Sequence, residues 1–218
     1  MRVFRLFARG TPLFLLGFFL VPVFIYSQQR PDALLEYRNG NYERAVEICK
    51  AEIAANPGNL ESHVVISWSL IRLGRYEECR LYAQAGWNIS RYDPRIVEIL
   101  GEVYYFLGNN AQALRYFQEY INLAPQGARN GPVYYYIGEI YIRLGKFRHA
   151  DIALSTAVYY MPGNADWWTR LAYAREGAGE RREALNAYER ALTLNSQLVD
   201  ASRGAERVRR SLNPAPQP

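Results

Sequence analysis

A glycine recurs along this chain at near-constant spacing, and that ladder constrains the fold more than any other feature. Gly40, Gly74, Gly108, Gly145 and Gly179 are separated by 34, 34, 37 and 34 residues. The surroundings recur too: Asn39-Gly40-Asn41-Tyr42, Leu73-Gly74-Arg75-Tyr76, Leu107-Gly108-Asn109-Asn110, Leu144-Gly145-Lys146-Phe147 and Ala178-Gly179-Glu180-Arg181. A glycine closing an apolar-periodic stretch marks the C-terminal turn of a helix, where a left-handed residue is needed. The Ala that follows at Ala45, Ala113, Ala150 and Ala184 lets a second helix approach the first closely. A self-repeat of this length is one helix–turn–helix unit that cannot bury its apolar face alone. The expected fold is therefore all-α, with about five stacked helical pairs.

Further residues sharpen the unit. First helices carry Leu100-Gly101-Glu102-Val103-Tyr104 and Ile137-Gly138-Glu139-Ile140-Tyr141, and Trp168 with Leu171-Ala172. Second helices carry Phe117, Leu154 with Ala157, and Tyr188 with Ala191, while Pro57, Pro94, Pro125 and Pro162 close units or open the next. On these residues the chain resembles the tetratricopeptide-repeat (TPR) family, whose unit is 34 residues long. The resemblance implies a right-handed α-solenoid spanning residues 28–195, with units at about 28–59, 60–93, 94–130, 131–164 and 165–195. Residues 196–212 are expected to form a capping helix with a wet outer face. Residues 213–218, rich in Pro, read as a frayed tail. Departures are local: Cys79 stands where Ala is usual, Asn110 and Arg181 replace an aromatic, and three extra residues lengthen the Gln126–Gly131 loop.

The amino terminus reads differently. Arg2, Arg5 and Arg9 precede a mostly apolar run from Leu13 to Tyr26, followed by Ser27-Gln28-Gln29. A basic leader before a short apolar run is the pattern of a secretory signal. The run is short for a membrane span, and Pro22 interrupts it, so a cleaved signal in residues 1–27 is favoured over a membrane anchor. Either reading places the remainder outside the cytoplasm, in the periplasm or cell envelope, of a bacterial-type protein.

The formal charge of +5 does not point to nucleic acid. Of 26 basic residues, three lie in residues 1–27 and four in residues 196–218, where two of the 21 acids also lie. That leaves 19 basic and 19 acidic residues from Gln28 to Asn195, a balance without the excess a phosphate backbone selects. Two Cys and two His, in different units, supply neither a disulfide framework nor a metal ligand set. Cys49 and Cys79 read as buried apolar thiols in preference to a disulfide. No phosphate loop, nucleophile elbow or paired His at helical spacing is present, so no catalytic residue, cofactor or metal is expected.

What the resemblance implies instead is a binding groove, since the first helices of successive units line the concave face in this family. Equivalent positions are Val64, Glu98 and Tyr135; then Trp68, Glu102, Glu139 and Tyr173; then Ile71, Tyr105 and Ile142, with Arg72 and Arg143 beside them. The lining is aromatic around an acidic centre. Glu102 and Glu139 are expected to face each other, and two close carboxylates call for a cation from a partner. The expectation is a non-catalytic interaction scaffold binding a protein or peptide partner with basic groups. The alternative is a small-ligand or carbohydrate-binding adaptor of an envelope or transport complex, for which Trp and Tyr faces would serve.

Overall fold

A computed structural model describes residues 32–213. The residues expected to form the signal or anchor lie outside that range, as does nearly all of the expected tail. Among the described residues, no helix is long and apolar enough to cross a membrane.

Eleven α-helices and no strand are found among the described residues: α1 (Ala33–Arg38), α2 (Tyr42–Ala55), α3 (Leu60–Arg72), α4 (Tyr76–Ile89), α5 (Pro94–Phe106), α6 (Asn110–Leu123), α7 (Asn130–Arg143), α8 (Phe147–Tyr160), α9 (Ala165–Ala178), α10 (Arg181–Leu194) and α11 (Val199–Leu212). All five ladder glycines have positive φ, from 68° to 86°, and among the described residues no other residue type does. That shared left-handed turn reverses the chain within two residues of each first helix. Four first helices open on a side-chain cap: Asp32, Asn59, Asp93 and Asn164 each accept a backbone N–H of the first turn. Such a cap satisfies one of the four donors a helix start leaves orphaned.

Helix α7 begins at Asn130, which places Pro132 in its first turn, where proline forfeits an N–H that had no partner anyway. The terminal helix begins at Val199 rather than at residue 196, after a turn in which Asn195 accepts the N–H of Gln197 through its side chain.

Each helix packs on the next, and each odd-numbered helix also touches the next odd-numbered one; even-numbered helices do not touch one another. The row α1, α3, α5, α7, α9, α11 is therefore the closely spaced, inner row. Close approach depends on missing side chains: a Cβ at Gly101 would lie 2.5 Å from Phe117, and one at Gly138 would lie 2.5 Å from Leu154. The apolar interior forms two clusters, one from α1 to α8 built on Ile, Leu, Val and aromatic rings, the other from α8 to α11 built largely on Ala around Leu154, Leu171 and Tyr188. Tyr141 packs against both. In the second, Ala201, Ala205 and Val208 of α11 are buried, so this helix covers the last repeat.

Cys49 and Cys79 are buried and unbridged, and burial pushes both thiols up to about 12. They are small core residues, far from thiolate chemistry. His63 is buried as well, its Nδ1 3.2 Å from the Tyr82 carbonyl oxygen and its Nε2 3.1 Å from that of Pro57, which ties α3 to α4.

Candidate functional site

The inner row supplies the candidate site. A cavity of about 740 Å³ opens along α1, α3, α5, α7 and α9, walled by Tyr37, Trp68, Ile71, Tyr136 and Trp167. Its charged lining is Arg72, Arg95, Glu98, Glu102 and Arg129. Helix α5 places Glu98 and Glu102 one turn apart on its inner face. They are 3% and 8% exposed. Arg129, from the lengthened loop before α7, donates from Nε and Nη2 to Oε1 of Glu98 at 3.0 and 2.8 Å. It reaches Oε2 of Glu102 only at 3.5 Å, while Tyr136 donates its hydroxyl to Oε1 of Glu102 at 2.7 Å.

Burial, and then the neighbouring Glu102 carboxylate, push the Glu98 carboxyl up to about 7 against the pull of Arg129. One guanidinium between two buried carboxylates does not offset their desolvation. The two other guanidiniums lining the cavity are engaged elsewhere. Arg95 is held by Asp93 and Glu61, and Arg72 lies over the Tyr42 ring at 5.2 Å.

Of the residues expected to line the groove, the structure brings Trp68, Ile71, Arg72, Glu98 and Glu102 together in this cavity. A second locus follows along the same row. There Tyr135 stacks on Trp167 at 4.9 Å, and Arg143 lies 3.9 Å over the Tyr105 ring while donating to its carbonyl oxygen. Tyr173 remains 41% exposed beneath Arg170, and Ile142 packs into the second apolar cluster.

Three expectations are corrected. Val64 is fully buried and lines nothing. Tyr105 is no open ring, since Arg143 covers it. Glu102 and Glu139 do not meet as an open pair awaiting a foreign cation: Glu139 is held by Arg170 through two hydrogen bonds of 2.6 and 2.9 Å. The reason is a stagger between neighbouring helices. Glu102, Glu139 and Glu176 each meet a residue three positions before their equivalent in the next unit, whereas Glu61 meets its own equivalent, Arg95, one full repeat on. Glu139 to Arg170 and Glu176 to Arg207 are both 31 apart, one repeat less three. Glu102 to Tyr136 is 34, the same offset once the three-residue insertion is counted.

Sequence reasoning missed Tyr37, Arg129, Tyr136, Trp167 and Arg170. The spacing of 31 shared by Glu139–Arg170 and Glu176–Arg207 was the available signal for Arg170. Nothing in the described residues gathers three His, Cys, Asp or Glu side chains into a metal site.

Comparison with known proteins decides the family. Two models of the tetratricopeptide repeat match residues 31–134 and 165–198. The chain belongs to the tetratricopeptide-repeat family. Proteins built on this repeat are typically non-catalytic scaffolds for protein–protein contact. A curated relative, the BBSome complex member BBS4 homolog of Drosophila melanogaster, is 24% identical over 155 residues. The match covers 67% of this chain, yet the chain spans only 31% of that protein's length. Among solved structures, MamA superposes with a TM-score of 0.67 at 20% identity, covering 77% of this chain and 96% of MamA. YrrB, described as a TPR protein with an unusual peptide-binding site, has a TM-score of 0.67 at 16% identity, covering 80% of this chain and 88% of its own. These likenesses establish a helical TPR solenoid.

Proposed function

We propose that this TPR protein is a non-catalytic scaffold that seats a segment of a protein or peptide partner along its inner row of helices. The observation that carries the reading is the cavity of about 740 Å³, whose aromatic walls surround charged groups with incomplete ion pairing. Aromatic side chains with polar neighbours supply large contact area at low entropic cost, as interface anchors do. YrrB, of the same fold, is described as having a peptide-binding site, which supports a similar use of this groove. The basic leader and apolar run of residues 1–27 support export, so the site of action is the periplasm or cell envelope, with residues 1–27 either removed or kept as an anchor. The cavity is also of the size that holds small ligands, which favours an adaptor for a small molecule as the second reading.

Position-resolved crosslinking in the native host tests the scaffold. A photoreactive residue at Trp68 or Tyr173, on the inner row, should capture one defined protein, whereas one at Leu81, exposed on α4, should not. Equal capture from all three positions, or from none, defeats the groove reading. A bound small-molecule mass on native purification, without a crosslinked protein, would favour the adaptor.

A further inference from the structure

We infer that the Glu98–Glu102 carboxyl pair, walled by Trp68 and Tyr136, is an anchor subsite for one guanidinium or ammonium group carried by the partner. The inference rests on the groove reading above and names the chemistry that the groove selects. Charge complementarity carries it. Both carboxylates are over nine-tenths buried, and Arg129 is the one cation that reaches them among the described residues. Arg129 spends both of its short hydrogen bonds on Oε1 of Glu98. Oε2 of Glu98 takes no hydrogen bond from Arg129 or Tyr136, and its nearest charged neighbour on α5 is a second carboxylate, Glu102. The cavity opens beside this carboxyl group, and its aromatic walls offer π-faces to a cation.

In the unliganded protein a proton takes the place of the missing cation. The charged and titratable groups facing Glu98 are Glu102 and Arg95 of its own helix, Arg72 of α3, Tyr120 of α6, Arg129 and Tyr136. Arg95 and Arg72 are committed elsewhere, Tyr136 serves Glu102, and Tyr120 accepts the backbone N–H of Arg129. Burial and Glu102 hold the Glu98 proton up to about pH 7. When a guanidinium or ammonium ion enters, the Glu98 O–H bond breaks, the proton passes to solvent, and the carboxylate accepts the cation's N–H. Uptake of the cation is therefore proton-linked, and affinity rises with pH until Glu98 is ionised without help.

The test needs no native partner. The probe is N-acetyl-arginine amide, compared with N-acetyl-citrulline amide, its neutral isostere. Both are titrated into the protein while the indole N–H signals of Trp68 and Trp167 are followed by NMR. The arginine probe should shift both indoles saturably and bind about tenfold more tightly at pH 8 than at pH 6, as displacement of one proton with a midpoint near 7 requires. The citrulline probe should bind at least tenfold more weakly and show no pH dependence. Glu98→Gln and Glu102→Gln, separately, should abolish the preference for arginine. Equal binding of the two probes to the wild-type protein overturns the inference whatever the variants do, and so does arginine binding independent of pH. If the native partner crosslinks to the Glu98→Gln protein as well as to wild type, the scaffold stands and this subsite falls. Selective, pH-dependent arginine binding with no crosslinked partner upholds the subsite and removes the scaffold.

Discussion

Glu98 and Glu176 make the same kind of contact in two regions of the solenoid, with opposite consequences. Each meets an arginine 31 residues further on, Arg129 and Arg207 respectively. Glu176 receives two short hydrogen bonds from Arg207, one on each oxygen, plus the hydroxyl of Tyr188. Its carboxyl is held below the ordinary glutamate range, chiefly by Arg207. Glu98 receives both arginine hydrogen bonds on one oxygen and has Glu102 beside it, and its carboxyl is raised. Glutamate–arginine pairs along the inner row thus close the C-terminal end neatly and leave a charge mismatch at the cavity. What differs is depth and stoichiometry: two buried carboxylates per guanidinium against one partly exposed carboxylate per guanidinium.

The largest effect expected from separating these regions comes from ending the chain at Asn195. This strips α11 from the last repeat, uncovers Tyr188, Leu185 and Leu192, and removes Arg207 from Glu176. Exposing roughly 200 Å² of apolar surface costs about 5 kcal/mol, so thermal unfolding should come at least about 10 °C earlier. An unchanged melting curve would show that the C-terminal end closes without its cap. Next in size is Arg129→Ala, which leaves Glu98 and Glu102 without their cation. Urea unfolding should show a loss of about 2–3 kcal/mol at pH 8 that shrinks toward pH 5, where a proton can neutralise the pair.

Glu98→Gln should act in the opposite direction. In the folded protein Glu98 keeps its proton until about 7, whereas the unfolded chain releases it near an ordinary glutamate value. Its contribution to stability is therefore fully present below about pH 4 and lost as pH rises toward 7. The variant should gain on the order of 2 kcal/mol relative to wild type between pH 5 and pH 8, measured as the change in their difference. Glu176→Gln should do least and with the reverse slope. A lowered carboxyl stabilises above its unfolded value and loses that benefit as pH falls through the folded one. Because Arg207 is half exposed, the loss at pH 7 should be under about 1 kcal/mol, vanishing in acid.

The repeat was legible because each unit restates it. Five glycines, four capping side chains and the close contacts at Gly101 and Gly138 all appear in sequence as residues whose chemistry leaves one geometry open. The inner row was legible as positions, but the contacts along it were not. Placing Glu102 opposite Glu139 assumed that equivalent residues meet, whereas the stagger between helices matches Glu102 with Tyr136 and Glu139 with Arg170. Arg129 was harder still. It lies in the inserted loop, where the period gives no register, and its role depends on a loop path that only the folded chain defines.

Titration of the individual glutamate side-chain carboxyls by carbon-detected NMR, on the protein carrying labelled glutamate, tests the central contrast most directly. The expected result is a Glu98 resonance with a midpoint near 7, while Glu176 titrates below the ordinary glutamate range. Glu98 and Glu176 titrating together near an ordinary glutamate value would contradict it, because the cavity would then hold no charge mismatch for a partner to resolve.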